Sequence, residues 1–186
     1  MTPTIRDKAD TIGTLRFISV HLMETLARWV PSTPEMEVKV LFGRHVWDLA
    51  QHADALGKRT AELRAAMHYS LRPVEPYMAA LDTLAAEART AERVDAFYDA
   101  MLPELEHRYR AYLSAADALL DDPSVRIIER ILLDLARMRA ERQGLREQLP
   151  DLASGAAFAG RIAKLVSAVP DYVAFRPVPA GAAAAS

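Results

Sequence analysis

Residues 34–68 read PEMEVKVLFGRHVWDLAQHADALGKRTAELRAAMH, and this stretch decides the fold class. Its apolar and histidine side chains recur every three or four residues, so they share one side of a helix; they are Val38, Leu41, His45, Leu49, His52 and Leu56. Thr33 is predicted to cap this helix, with Pro34 at its first position, where a missing backbone N–H costs nothing. Gly43 and Gly57 are the positions at which a bend is expected.

The rest of the chain divides at its prolines into further helices. The first is predicted over 4–29, ending at Val30-Pro31, with a stripe made of Leu15, Ile18, Leu22, Leu26 and Trp29. The others are predicted over 75–89, over 90–120 with a kink or restart at Pro103, over 124–148 with Ile128, Ile131, Leu135 and Met138 in line, and weakly within 151–169.

Composition supports the same class. The 186 residues include 34 Ala and only 7 Gly, a balance that favours helices. The net charge of -2 excludes a nucleic-acid binder that relies on bulk positive charge, and the arginines of the third and fourth long helices alternate with acids as on a solvated face. The absence of cysteine excludes disulfides and thiolate chemistry. Without a long uncharged apolar run, no membrane helix is predicted, and we expect a cytoplasmic protein.

The layout indicates a single domain. Two pairs of long helices joined by tight turns, with a longer connection near 70–89, are typical of a four-helix bundle with one crossover. We therefore predict one helical domain over 1–176. The Pro- and Ala-rich tail, 177–186, is predicted to be disordered.

Residues 44–54 (RHVWDLAQHAD) resemble the second helix of ferritin-like proteins, in which a carboxylate and a histidine three residues later bind a metal pair. Members of the bacterial branch read roughly Arg-His-x-Trp-acid-acid-Ala-x-His. Trp47, Ala50 and His52 match that pattern, but Leu49 stands where the inward carboxylate is expected.

The fourth long helix carries the second half of the resemblance. Residues 126–138 read RIIERILLDLARM, and the family form ends in Asp-Glu-x-x-His. Aligned on Asp134, the Glu position is Leu135 and the His position is Met138. The resemblance spans about residues 10–146. It implies an all-α, ferritin-like four-helix bundle with additional short helices, in which the ligand positions Leu49, Leu135 and Met138 are vacated.

No metal or other cofactor is expected at these positions, because leucine and methionine offer no oxygen or nitrogen ligand. If iron or manganese does bind, the candidate ligands are His52, His45, Glu24, Glu104 and Glu106. The simpler interpretation of His45 and His52, about 10.5 Å apart along a helix, is that of core histidines held by hydrogen bonds. Glu24, four residues before Arg28, is typical of a solvated face.

Three functions remain open. The first is a non-catalytic ferritin-like protein that acts through a partner or ligand. The second is a metal-dependent oxygenase or hydroxylase with a reduced or unusual metal site. The third is a carrier of an apolar small molecule in the bundle centre. We also expect a homodimer or a protein partner, because apolar stripes in 74–88 and 158–169 exceed what one bundle covers.

Overall fold

The structure of the chain is a computed structural model that describes residues 3–175. Regular structure in this range is helical, without a strand, which confirms the all-α class. The elements are α1 (Ile5–Ser32), α2 (Met36–Glu62), α3 (Glu75–Ala85), α4 (Thr90–Asp95), a π-helical segment (Ala96–Met101), α5 (Leu102–Ala115), α6 (Asp122–Gln148) and α7 (Ala156–Ser167). The tail predicted to be disordered, 177–186, lies outside the described residues.

The turn between α1 and α2 differs from its prediction. Helix α1 continues through Pro31 to Ser32, and α2 begins at Met36. The Thr33 hydroxyl donates to the carbonyl of Trp29 at 2.8 Å, so it completes α1 and does not cap α2. Pro31 carries no N–H donor, and the hydroxyls of Ser32 and Thr33 both donate to the carbonyl of Trp29, at 3.2 and 2.8 Å.

Helix α2 ends at Glu62 and not at residue 68, because the chain then turns back on itself. Arg64 and His68 have positive φ angles of 62° and 56°. The His68 amide donates to the carbonyl of Gly57 at 2.9 Å. A Cβ on Gly57 would lie 2.2 Å from Nδ1 of His68, so the role of this glycine is to permit the close approach of the loop.

A kink or restart of the helix is predicted at Pro103, and the structure has a π-helical segment directly before this residue. Pro103 lies in the first turn of α5, directly after that segment. A proline inside a regular helix clashes with the carbonyl four residues earlier, which here belongs to Asp99 within the wider π turn. The helix then ends at Ala115 and not at residue 120.

The long helices form two hairpins, α1 with α2 and the α4–π–α5 run with α6, and α2 packs antiparallel to α6. Contacts of Glu141, Asp134 and Ser124 with His45, His52 and Arg59, respectively, show the direction, because one residue number falls as the other rises. All the stripe residues predicted for α1, α2 and α6 are buried; they are Leu15, Ile18, Leu22, Leu26, Trp29, Val38, Leu41, His45, Leu49, His52, Leu56, Ile128, Ile131, Leu135 and Met138.

The apolar stripes that suggested a dimer are mostly covered within the chain. Helices α3 and α7 pack against each other, and α7 also packs against the π-helical segment. Their buried residues include Leu81 and Leu84 on α3 and Ile162 and Val166 on α7. Two extra helices enlarge the bundle and cover most of these stripes, although Leu165 stays 39% exposed. The expectation of a homodimer or a protein partner remains a prediction.

Candidate functional site

Three positions at which the ferritin-like resemblance expects metal ligands lie in the core between α2 and α6. The side chains of Leu49, Leu135 and Met138 are fully buried. They belong to the same apolar cluster as Ile128 and Ile131. Because full burial of such a side chain stabilises a fold by about 1.5–3 kcal/mol, these residues contribute packing energy where ligands would otherwise stand.

His52 is the remaining histidine of the family pattern, and it is paired with a carboxylate. It is 4% exposed, and its Nε2 lies 3.1 Å from Oδ2 of Asp134 on α6. Burial lowers the pKa of His52 below its ordinary value of 6.5, although Asp134 partly opposes the shift. The imidazole is therefore neutral at pH 7 and donates its N–H to Asp134.

His45 lies seven residues earlier on the same side of α2 and is held at both ring nitrogens. Its Nδ1 is 2.6 Å from the hydroxyl of Tyr98, in the π-helical segment, and its Nε2 is 3.1 Å from Glu141. Burial raises the pKa of Tyr98, so that hydroxyl keeps its proton and donates it to Nδ1. The network assigns the ring proton to Nε2, and burial lowers the pKa of His45.

Arg137 of α6 joins the two histidine–carboxylate pairs. Its guanidinium donates to Asp48 at 2.9 Å, to Asp134 at 3.0 Å and to Glu141 at 3.2 Å. Arg44 donates to Glu141 as well, at 3.1 Å. We call these residues the α2–α6 polar cluster: Arg44, His45, Asp48, His52, Tyr98, Asp134, Arg137 and Glu141.

The same contacts set the charges of the cluster. Burial opposes ionisation of Asp134, but hydrogen bonds from Arg137 and His52 outweigh it and lower the pKa of that carboxyl. The pKa of Glu141 is lowered in the same way, with Arg44 first among its donors. The cluster therefore combines two neutral imidazoles with the ionised Asp134 and Glu141, and it fastens α2 to α6 through charge-assisted hydrogen bonds from Arg44 and Arg137.

The other candidate ligands lie elsewhere. Glu24 is exposed on α1, as its spacing from Arg28 predicted. Glu104 is bound to Arg108 at 2.6 Å, and Glu106 is bound to Arg110 at 2.8 Å. Within residues 3–175, no group of three or more His, Cys, Asp or Glu side chains is placed to hold a metal ion. The set of five candidate ligands for iron or manganese therefore does not assemble.

The donor set also fails the requirements of a di-iron centre. Such a centre takes a Glu from each of two helices and a Glu-x-x-His from each of the other two. Leu49 and Leu135 offer no donor atom, and the thioether of Met138 is too soft for an oxygen- and nitrogen-bound iron site. His52 and Asp134 are bound to each other.

A separate cavity of about 270 Å³ lies at one end of the bundle. Its walls are mostly apolar and come from the start of α1, the end of α5 and the segment after α7; they include Pro3, Ala111, Tyr112, Ala115, Tyr172, Val173 and Phe175. Arg108 lies over the Tyr172 ring, 4.7 Å from its centroid. Its guanidinium also donates to the carbonyls of Val169 and Pro170, at 2.8 and 2.7 Å.

Asp121 is one of four charged residues in the wall of this cavity, with Lys8, Arg108 and Asp171, and its bonding is complete. The fully buried carboxylate accepts from Arg59 and Tyr112 at 2.8 Å and from Ser124 at 2.6 Å, and Lys8 lies 3.4 Å away. Burial opposes its ionisation, but these donors outweigh burial and lower the pKa of Asp121. The wall is therefore mostly apolar, although it also includes the exposed Asp171.

Comparisons of this chain with protein-family models, with curated proteins and with solved structures found no match. The ferritin-like resemblance accordingly rests on the residues quoted above. No helix within residues 3–175 combines the length and the apolar character that crossing a membrane requires.

Sequence reasoning found the histidines of the polar cluster and missed their partners. Asp134 enters the sequence argument only as a match to the family pattern and Arg137 only among the arginines of a solvated face, and the pattern does not single out Tyr98 or Glu141. One signal was available: His45 and His52 are seven residues apart, and so are Asp134 and Glu141. Equal spacing on two antiparallel helices brings the pairs together, provided that the two helices are known to be neighbours.

Proposed function

We propose that this chain is a non-catalytic protein with a ferritin-like four-helix arrangement that has given up its two-metal site and acts by binding a partner or a ligand. The observation that carries the proposal is the filling of the ligand positions. Leu49, Leu135 and Met138 are buried in the core, and His52 bonds to Asp134. The two hairpins, with α3 in the connection between them, support the architecture.

Metal analysis of the full chain, expressed in iron- and manganese-supplemented medium and purified without chelator, tests this proposal. We expect less than about 0.1 metal ion per chain, because the retained histidine and carboxylates are engaged with each other. Stoichiometric iron or manganese would overturn the proposal and favour the oxygenase or hydroxylase alternative.

Restoring the ligands tests the alignment itself. The triple variant Leu49→Glu, Leu135→Glu and Met138→His should gain iron affinity, or lose stability that added iron restores, because buried carboxylates need a cation. A matched triple variant with Gln at the same three positions introduces polar groups of similar size that are weak ligands. Equal responses of the two variants to iron would show that the resemblance aligns the wrong positions.

The cavity at the end of the bundle favours a second candidate, an apolar-ligand carrier. The sequence suggested the bundle centre as the binding place, but Leu49, Leu135 and Met138 are packed there, and the apolar cavity lies at the end. An apolar cavity of about 150 Å³ holds benzene, so 270 Å³ has room for a fused bicyclic ring. Asp121 and Arg108 are fully engaged, and the mostly apolar wall favours an apolar ligand.

A fluorescence titration with N-phenyl-1-naphthylamine tests the carrier candidate. Ala115→Phe places a ring in the cavity and should weaken probe binding at least tenfold. Ala27→Phe, on the exposed side of α1, is the matched control and should leave the affinity unchanged. Failure of the wild-type protein to bind the probe, or equal binding by the two variants, would reject this cavity as a carrier site.

A further inference from the structure

Helix α2 presents a regular stripe of side chains on the side away from the core. Its members are spaced alternately three and four residues apart, the spacing of a coiled-coil seam. We call it the α2 outer stripe: Glu37, Val40, Arg44, Trp47, Gln51, Asp54 and Lys58. Exposed fractions of 66% for Trp47 and 52% for Val40 show that two large apolar side chains of this stripe are uncovered.

Trp47 stands at the centre of the stripe. Met36, 64% exposed, extends the apolar surface towards the start of α2. Tryptophan buries a large area in an interface and is enriched among the residues that carry binding energy. An uncovered apolar surface of this kind on a long helix marks an interaction site.

The charges of the stripe identify the occupant. Glu37 lies ten residues before Trp47, and Lys58 lies ten residues after Asp48. Likewise Arg44 lies three residues before Trp47, and Gln51 lies three residues after Asp48. Suppose that two copies of α2 pair antiparallel about a two-fold axis that passes between positions 47 and 48. Each Glu37 then faces Lys58 of the other copy. Arg44 faces the neutral Gln51, so no like charges meet directly.

We propose that the α2 outer stripe binds a second copy of this chain, with the two α2 helices antiparallel and the two Trp47 side chains packed at the two-fold axis. Reversing the stripe brings opposite charges together, so the surface is complementary to itself, as a two-fold interface requires. The proposal goes beyond the proposed function, since it holds whether or not the chain binds a metal or an apolar ligand.

Sedimentation equilibrium of the full chain from about 1 to 300 μM tests the association. We expect a mass that rises with concentration from 20.6 kDa towards twice that value. Trp47→Ala should raise the dissociation constant at least tenfold. The matched control is Leu119→Ala, which removes an apolar side chain that is 87% exposed in the turn between α5 and α6, and it should leave the association unchanged.

A charge swap tests the antiparallel alignment. Glu37→Lys and Lys58→Glu should each weaken the dimer at least threefold, because each creates two like-charge contacts across the axis. The double variant should recover the wild-type affinity, because position 37 then carries the positive charge and position 58 of the other copy carries the negative charge. Circular dichroism of dilute samples checks that every variant remains helical.

Three results would overturn the proposal: a wild-type chain that stays at 20.6 kDa throughout the range, an association that Trp47→Ala leaves unchanged, or a double charge swap that does not recover affinity.

Discussion

Acidification should destabilise this protein below about pH 6.5, and the α2–α6 polar cluster supplies the main reason. Burial lowers the pKa of both His45 and His52 in the folded chain. In the unfolded chain both imidazoles titrate near pH 6.5. Below about pH 6.5 the unfolded chain therefore binds protons at these two imidazoles that the folded chain does not bind. Stability from this source is complete above about pH 6.5 and falls as the pH drops towards the folded-state pKa values.

The size of the effect follows from the number of histidines. Each one contributes a slope of up to about 1.4 kcal/mol per pH unit, so His45 and His52 together contribute up to about 2.7 kcal/mol per unit. Burial also lowers the pKa of His21, which adds a slope of the same sign. Asp134 and Glu141, whose pKa values are lowered as well, lose their contribution only at more acid pH, near and below about 4.

Urea unfolding followed by circular dichroism between pH 5 and 8 measures this slope. In the double variant His45→Gln and His52→Gln the slope below pH 6.5 should shrink by up to about 2.7 kcal/mol per unit. His107→Gln, an exposed position on α5, is the control and should leave the slope as it is in the wild type. Stability that is constant or rises from pH 7 to 5, or a double variant with the wild-type slope, would refute the reasoning.

Three further substitutions test the packing. Arg137→Met removes the donor shared by three carboxylates, and it should lower the free energy of unfolding by about 1–2 kcal/mol after allowance for the 43% exposure of Arg137. The control Arg110→Met removes a single surface pair and should lower it by less than about 0.5 kcal/mol. Urea unfolding measures both values. Gly155→Ala places a Cβ 2.5 Å from the backbone at the start of α4, so it should lower the thermal unfolding midpoint. Gly160→Ala has open space around it and should raise the midpoint slightly. The reverse order would contradict the packing of α7 on α4. Leu135→Ala should cost about 2–5 kcal/mol by chemical unfolding, and a cost below about 1 would show that this side chain is not in the core.

The sequence by itself determined the helical class, the buried stripes and the apolar side chains at the three positions where the ferritin-like resemblance expects metal ligands. These features depend on side chains three or four residues apart and on backbone preferences of Ala, Gly and Pro, which act within one or two helical turns. The positions of the main turns followed from the same local rules. The exact helix ends did not, because tertiary contacts such as the approach of His68 to Gly57 decide where α2 stops.

The tertiary structure alone decided the partners of the two histidines. His45 and Glu141 are 96 residues apart in the chain, and His52 and Asp134 are 82 apart. No periodic pattern tells which hairpin docks against α2, and a rotation of either helix would have offered each histidine another neighbour. The docking also covered the stripes of α3 and α7 while it left Trp47 in solvent. The local sequence specifies which face of each helix is buried, and the packing of whole helices decides which residues of other helices that face contacts.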